Sequence, residues 1–198
     1  MFIAEKGLDI ELVKVDLFRM EQLTDEFLSI NPAGTVPVLE TDDGTYLTET
    51  LSICNYLENL TPEPVLMGTT AIEKSLVLQW NNVVEQQGMA AIAETLRNWS
   101  PGFRNRVFPG TVNYPQIPQL IERGRNRTQQ FFDLIEQRLA GNQFLSGGIL
   151  SLADISLLAM TEFATWVQIV PQQGRPALSR WYEEIAARPS ASLDSIRA

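Results

Sequence analysis

Hydrophobic spacing changes character once along this chain, at Thr61-Pro62-Glu63-Pro64. Ahead of that stretch, segments that alternate apolar and polar residues are interleaved with segments of helical spacing. Beyond it only helical spacing occurs. Because the period decides which face an element can bury, the two sides cannot share one architecture. The pattern predicts an α/β unit over residues 1–61, a Pro-rich connection, and an all-helical unit over residues 68–198.

In the first unit, residues 9–17 alternate through Ile10, Leu12/Val13, Val15 and Leu17, which predicts a strand. Leu23, Phe27, Leu28 and Ile30 predict a helix over 22–30, ended by Asn31-Pro32. Residues 36–47 predict a hairpin, with short strands at Val38-Leu39 and Tyr46-Leu47 and a turn at Asp43-Gly44. Residues 49–60 predict a helix with Leu51, Ile53, Cys54 and Leu57 towards the core. The opening residues read as the end of a helix with Gly7 as its C-cap.

Beyond the connection, a long amphipathic helix is predicted over 70–98 and a structured loop over 99–118, which holds prolines at 101, 109, 115 and 118. Further helices are predicted over 119–140, 151–169 and 176–187. The 151–169 segment is apolar on most faces and therefore buried. Its start carries a capping box, Ser151 to Asp154. The serine hydroxyl is expected to accept the Asp154 N–H and the carboxylate to reach back to the N–H of Ser151, with Leu150 and Ile155 as a hydrophobic staple. This pair reads as structural.

Composition removes several chemistries. There is no histidine, which excludes histidine-activated nucleophiles and histidine-ligated zinc. The single cysteine, Cys54, excludes internal disulfides and cysteine-ligated clusters and fits a reducing, cytoplasmic setting. No metal is expected. Cys54 itself reads as a buried structural thiol. No apolar run reaches the length a membrane span needs, so no membrane partner is expected. The net charge of −9 argues against nucleic acid as a partner. Charge is uneven: residues 1–66 hold 13 acids and 3 bases, whereas residues 67–130 hold 4 acids and 7 bases. The arginines at 97, 104, 106, 123, 125 and 127 read either as a solvated, salt-bridged face or as an electropositive wall beside an anionic ligand.

Two short segments carry the chemistry. In Asn31-Pro32-Ala33-Gly34-Thr35-Val36-Pro37-Val38-Leu39, a proline stands where a strand should begin. A cis Val36–Pro37 bond would leave the backbone of Val36 free to receive an extended peptide by strand addition. In Leu47-Thr48-Glu49-Thr50-Leu51, a carboxylate and a hydroxyl stand at the first turn of a helix. Thr50 and the helix N-terminus suit an anion and Glu49 suits a cation, so together they suit a zwitterion. The plainer alternative is an ordinary N-cap at Thr48.

The run NPAGTVPVLETDDGTYLTETLSICNYL resembles the glutathione-binding half of cytosolic glutathione S-transferases of bacterial type, and the helical half with its SLADI capping box resembles the same family's C-terminal domain. The resemblance implies a thioredoxin-like domain followed by a C-terminal helical bundle, a cytoplasmic homodimer, and glutathione as co-substrate. It implies that Val36, before a cis Pro37, pairs with the cysteinyl unit and that Glu49 and Thr50 hold the γ-glutamyl end. Thr50 replaces the family's usual serine and keeps its hydroxyl. Thr35 stands where many members have Lys or Gln, which weakens any hold on the glycyl carboxylate.

The family begins with a β-strand, a loop holding a catalytic Tyr, Ser or Cys, and a helix. Here a helix is already ending at residues 2–6, so the resemblance implies a chain short of the first strand and the catalytic loop, and no catalytic residue is assigned. The activity implied is conjugation of glutathione to small hydrophobic electrophiles. The alternatives are a non-catalytic glutathione-binding or scaffold protein, and a disulfide reductase or dehalogenase if the missing residue is Cys. Trp99, Phe103, Phe108, Tyr114 and Trp166 are the candidate walls of the electrophile pocket, and plain packing is the competing reading of each.

Overall fold

A computed structural model of the chain describes residues 1–192. Its elements run α1 (Phe2–Glu5), α2 (Asp25–Ile30), β1 (Val38–Glu40), β2 (Tyr46–Thr48), α3 (Thr50–Leu60), α4 (Ala71–Val83), α5 (Ala90–Trp99), α6 (Gln119–Ala140), α7 (Leu152–Thr165) and α8 (Pro176–Ala186). The architecture is a small antiparallel sheet with helices, followed by helices alone. No helix among the described residues is long and apolar enough to cross a membrane.

The hairpin forms as its turn chemistry dictates. Val38 pairs with Thr48, Leu39 with Leu47 and Glu40 with Tyr46. At the turn, Asp43 accepts from the Thr41 hydroxyl and the Thr45 N–H, which gives the tip its own hydrogen bonds. The end of α1 is also as expected. Gly7 donates to Ala4 and Leu8 to Ile3, the paired bonds of a Schellman cap.

The strand expected over residues 9–17 does not form, and this corrects the sequence reading. β1 and β2 pair only with each other among the described residues. Val13 is 82% exposed, and Leu12 and Leu17 are exposed too. Alternation marks a face that a strand could bury, but a strand exists only where its N–H and C=O groups have a ladder partner. The helix expected over 22–30 is split. Glu21–Leu23 forms a short 3-10 turn, and Thr24 caps α2 by accepting from the Phe27 N–H at 3.3 Å. Leu51, expected in the core, is 40% exposed. Ile53, Cys54 and Leu57 define the buried face of α3, and at about 100° per residue Leu51 falls beside that face rather than on it.

The helix expected over 70–98 is continuous to Trp99 but passes through a π-helical turn at Val84–Met89. Gly88 lies in that turn, where a Cβ would stand 2.7 Å from the Phe131 ring, so its absence lets α6 close in. The last turn of α7 stops at Thr165, short of the expected 169. Val167 and Ile169 are buried beyond it as irregular chain.

Two apolar clusters hold these elements. The larger joins α5, α6, α7 and α8 through Ile92, Phe131, Phe132, Leu157 and Trp181. The smaller gathers Phe2, Ile53, Cys54 and Leu57 with Leu66, Met67, Val77 and Leu152, so residues from beyond the Pro-rich connection complete it. Lys6 ties the connection down. Its fully buried ammonium donates to the carbonyls of Thr61, Pro62 and Pro64 and pairs with Glu58, whose other oxygen accepts the N–H groups of Leu66 and Met67. This network was not anticipated.

At the start of α7 the capping box is present, and the Asp154 carboxylate receives more than the expected return bond. Oδ2 accepts the Ser151 N–H at 3.1 Å and the Ser151 hydroxyl at 2.8 Å. Oδ1 accepts the Leu145 N–H at 2.9 Å and the Trp181 indole N–H at 3.0 Å. Burial pushes this carboxyl up and the four donors pull it back.

Candidate functional site

The loop before β1 is shaped by Asn31. This buried amide donates to the Thr35 carbonyl at 2.8 Å and the Thr35 hydroxyl at 3.1 Å, and its own oxygen accepts the Ala33 N–H. Within the loop Gly34 has φ +62°, and a Cβ there would meet the Leu23 side chain at 2.7 Å and the Gln22 carbonyl at 3.2 Å. Only glycine permits both the left-handed backbone and the close approach. The Val36–Pro37 peptide is cis. Val36 is 40% exposed, and among the described residues its N–H and C=O make no hydrogen bond.

The helix start at α3 differs from the plain alternative. Thr48 belongs to β2, and Glu49 is the N-cap. Glu49 has φ 66° and ψ 125°, a left-handed backbone that a residue with a Cβ adopts at a cost of order 1–3 kcal/mol. Its carbonyl accepts the Ile53 N–H, yet its carboxylate caps nothing. Both Glu49 and Thr50 are exposed. Glu85 lies on the π-helical turn, within electrostatic reach of Glu49. Burial, and then the Glu49 charge, push its carboxyl above the usual range. Two carboxylates that repel one another make a place where a cation is favoured.

These segments meet in one cavity of about 410 Å³. Thr35, Val36, Pro37, Glu49 and Thr50, drawn from two separate stretches of sequence, all line it. Leu17, Gln22 and Gly34 complete that side, and Arg97 of α5 and Pro109 of the following loop close it from the helical half. Gln22 and Pro109 carry no motif that pointed to them. Arg97 belongs to the arginine cluster, and the structure divides the two readings of that cluster. Arg123 and Arg127 pair with Glu94 on a solvated face, beside a polar groove of about 470 Å³ along α6. Arg97 stands in the cavity wall. Gln22 Oε1 is buried there with no donor among the described residues.

The expected aromatic walls are elsewhere. None of Trp99, Phe103, Phe108, Tyr114 and Trp166 lines this cavity. Phe103 packs on the helical core, Tyr114 lies edge-on to Phe108 in the loop, and Trp166 is 65% exposed, edge-on to Phe163. Of these, Phe108 and Tyr114 find their aromatic partner within the Pro-rich loop. Cys54 is buried on the core face of α3, and burial pushes its thiol up to about 12, so it holds no thiolate at neutral pH.

Two family models match the chain: "Glutathione S-transferase, N-terminal domain" over residues 1–60 and "Glutathione S-transferase, C-terminal domain" over residues 104–189. Glutathione S-transferase 2 of Saccharomyces cerevisiae is 30% identical over 190 residues, covering 95% of this chain and 79% of that protein. The crystal structure of Gtt2 from the same yeast superposes with a TM-score of 0.85 at 29% identity, covering 96% of this chain and 89% of that one. A glutathione transferase homologue from Sulfitobacter, solved with bound glutathione, shares the fold at a TM-score of 0.81 and 21% identity, covering 99% of this chain and 89% of that one.

Proposed function

The chain belongs to the glutathione S-transferase family, with that family's thioredoxin-like N-terminal domain and helical C-terminal domain, and from that premise we propose that it binds glutathione in the Thr35–Thr50 cavity and conjugates it to small hydrophobic electrophiles. The convergence of Thr35, Val36, Pro37, Glu49 and Thr50 in one cavity carries this reading.

The donor set fits a peptide zwitterion. Val36 offers an unpaired N–H and C=O, which suit the cysteinyl unit of an extended peptide. Glu49, whose charge is felt by Glu85, suits the γ-glutamyl ammonium. The Thr50 hydroxyl and the N–H groups opening α3 suit the neighbouring carboxylate. The orphaned Gln22 Oε1 offers an acceptor to an amide N–H. Glutathione, when bound, supplies the thiol nucleophile. The residues here contribute position: they hold the γ-glutamyl end and the middle of an extended ligand, and Leu17, Pro37 and Pro109 give an apolar rim for the electrophile. The thiol proton leaves to solvent, a C–S bond forms, and the electrophile's leaving group departs with its electron pair.

Binding without turnover is the second reading. It is favoured by the scarcity of hydroxyls in the described lining: only Thr35 and Thr50 carry one, and Thr50 is given to the carboxylate. Thiol exchange through Cys54 is not supported, given its burial. We also infer a homodimer, because Leu51, Leu60, Ile72 and Leu78 on α3 and α4 stay exposed, and a cytoplasmic setting, from the family and the single reduced, buried thiol. A solution mass near 22.2 kDa at micromolar concentration would count against the homodimer.

Glu49→Ala is the test of the site. Removing a charged partner of the ammonium should weaken glutathione binding by about tenfold, from roughly 1.5 kcal/mol for a charge-assisted hydrogen bond. Unchanged affinity would show the assignment to be wrong. Tight binding with no conjugation of a reactive aryl halide would favour the second reading.

A further inference from the structure

Arg97 lies in the last turn of α5, half-buried in the cavity wall. Several other arginines of the helical half are paired or spent, and those among the described residues that are not, Arg104 and Arg125, do not line this cavity. Arg123 and Arg127 meet Glu94, Arg175 meets Asp133, Arg188 meets Glu5, and Arg180 donates to the carbonyls of Leu139 and Asn142. Arg97 has no carboxylate within ion-pair distance among the described residues. Its one hydrogen bond there is a long one, 3.4 Å from Nη1 to the Val107 carbonyl. Burial works against its charge, and a guanidinium does not escape by losing its proton. Half-buried, the guanidinium has water and one long bond as its partners, so an anion entering the cavity meets a cation with no competing carboxylate.

We propose that Arg97 is the carboxylate receptor of this cavity. The proposal rests on the glutathione reading above and deepens it. The amino end of the ligand is placed at Glu49 and Thr50, and its middle at Val36. An extended chain continues past Val36 towards Gly34 and Thr35, and Thr35 is neutral. The cation in the lining comes from α5 of the helical half. The planar fork of an arginine matches a carboxylate bidentately, which fixes orientation as well as charge. Two carboxylates have this chemistry: the C-terminal carboxylate of glutathione, and one carried by the electrophile.

Equilibrium binding by calorimetry on the full chain separates them. Four probes form two pairs. One is glutathione against its glycyl ethyl ester. The other is an S-alkyl glutathione against the same compound with a carboxylate ending the alkyl chain. The wild-type protein should prefer the acid by about tenfold or more in at least one pair, and Arg97→Gln should abolish that preference. The pair that responds identifies the source. In the responding pair, probes without the carboxylate in question should bind the variant as they bind the wild type, which shows the cavity to be intact. If they do not, Arg97→Lys decides: several-fold preference for the acid should survive, and its loss overturns the proposal. Preferences unchanged in Arg97→Gln, or absent from the wild type, also overturn it while leaving the glutathione reading in place. A wild-type protein that binds none of the four probes overturns both.

Discussion

The two apolar clusters differ in what they can do alone. The helical cluster is continuous through α5, α6, α7 and α8, with Phe132, Ile135, Leu157, Leu178 and Trp181 fully buried. The cluster around α3 has few residues of its own. Phe2, Ile53, Cys54 and Leu57 are covered by Leu66, Met67, Val77 and Leu152, which lie beyond the Pro-rich connection. The half that carries Val36, Glu49 and Thr50 therefore borrows its core from the half that carries Arg97. A site between a well-buried region and a dependent one can be adjusted without loss of the whole fold, because local opening starts where burial is least.

Asp154→Ala gives the largest expected effect. It removes a buried carboxylate and strands the donors of Leu145, Ser151 and Trp181, which should cost about 3–5 kcal/mol. Leu152, two residues away, serves the smaller cluster, so both regions should fail together in urea or thermal denaturation. A variant that kept native stability would show that the helical half does not depend on this cap. Lys6→Met comes next. It removes the buried ammonium that gathers three carbonyls and Glu58, but those carbonyls lie near solvent and can be rehydrated, so about 2–3 kcal/mol is expected. Hydrogen exchange should rise in α3 and in residues 61–67 while α6 and α8 stay protected. An equal rise in α6 and α8 would break the comparison, because the two regions would then open as one unit.

What was legible in the sequence follows the same division. Helical periods and the Ser151–Asp154 cap are local, and α6, α7 and α8 formed close to where they were expected. The hairpin was legible because Asp43-Gly44 specifies its turn. Residues 9–17 were misread because pairing is not a local property: their alternation has no ladder beside it. At the site, Val36 and Glu49 were visible through Pro37 and through a carboxylate at a helix start. Gln22, Arg97 and Pro109 enter the cavity only through the packing of the 104–117 loop and α5 against residues 17–36, a separation no short motif spans. Arg97 had a signal in the basic middle segment, but nothing in the sequence distinguished it from Arg123 or Arg127, which found Glu94 instead.

The smallest expected effect tests the dependent region at its other edge. Glu5 of α1 meets Arg188 bidentately at 2.7 and 2.8 Å, and the Ser190 hydroxyl joins them, so the start of the described chain is fastened to the segment after α8. Arg188's hydrogen bonds, with Ser190's in support, outweigh burial and hold the Glu5 carboxyl below its usual 4.5. A carboxyl whose folded pKa is depressed contributes stability above its unfolded value and loses it as pH falls through the folded value. The clasp should therefore be intact at neutral pH and release progressively below about pH 4.5, the unfolded carboxyl's range. The readout is exchange protection at Glu5 and Lys6, whose N–H groups donate to Met1 and Phe2. Protection should fall with acid in the wild type, and Glu5→Gln should show lower protection that no longer depends on pH. If acid loosens α1 equally in both proteins, the fastening lies in the Phe2 contacts of the smaller cluster, and the two regions are joined by apolar packing alone.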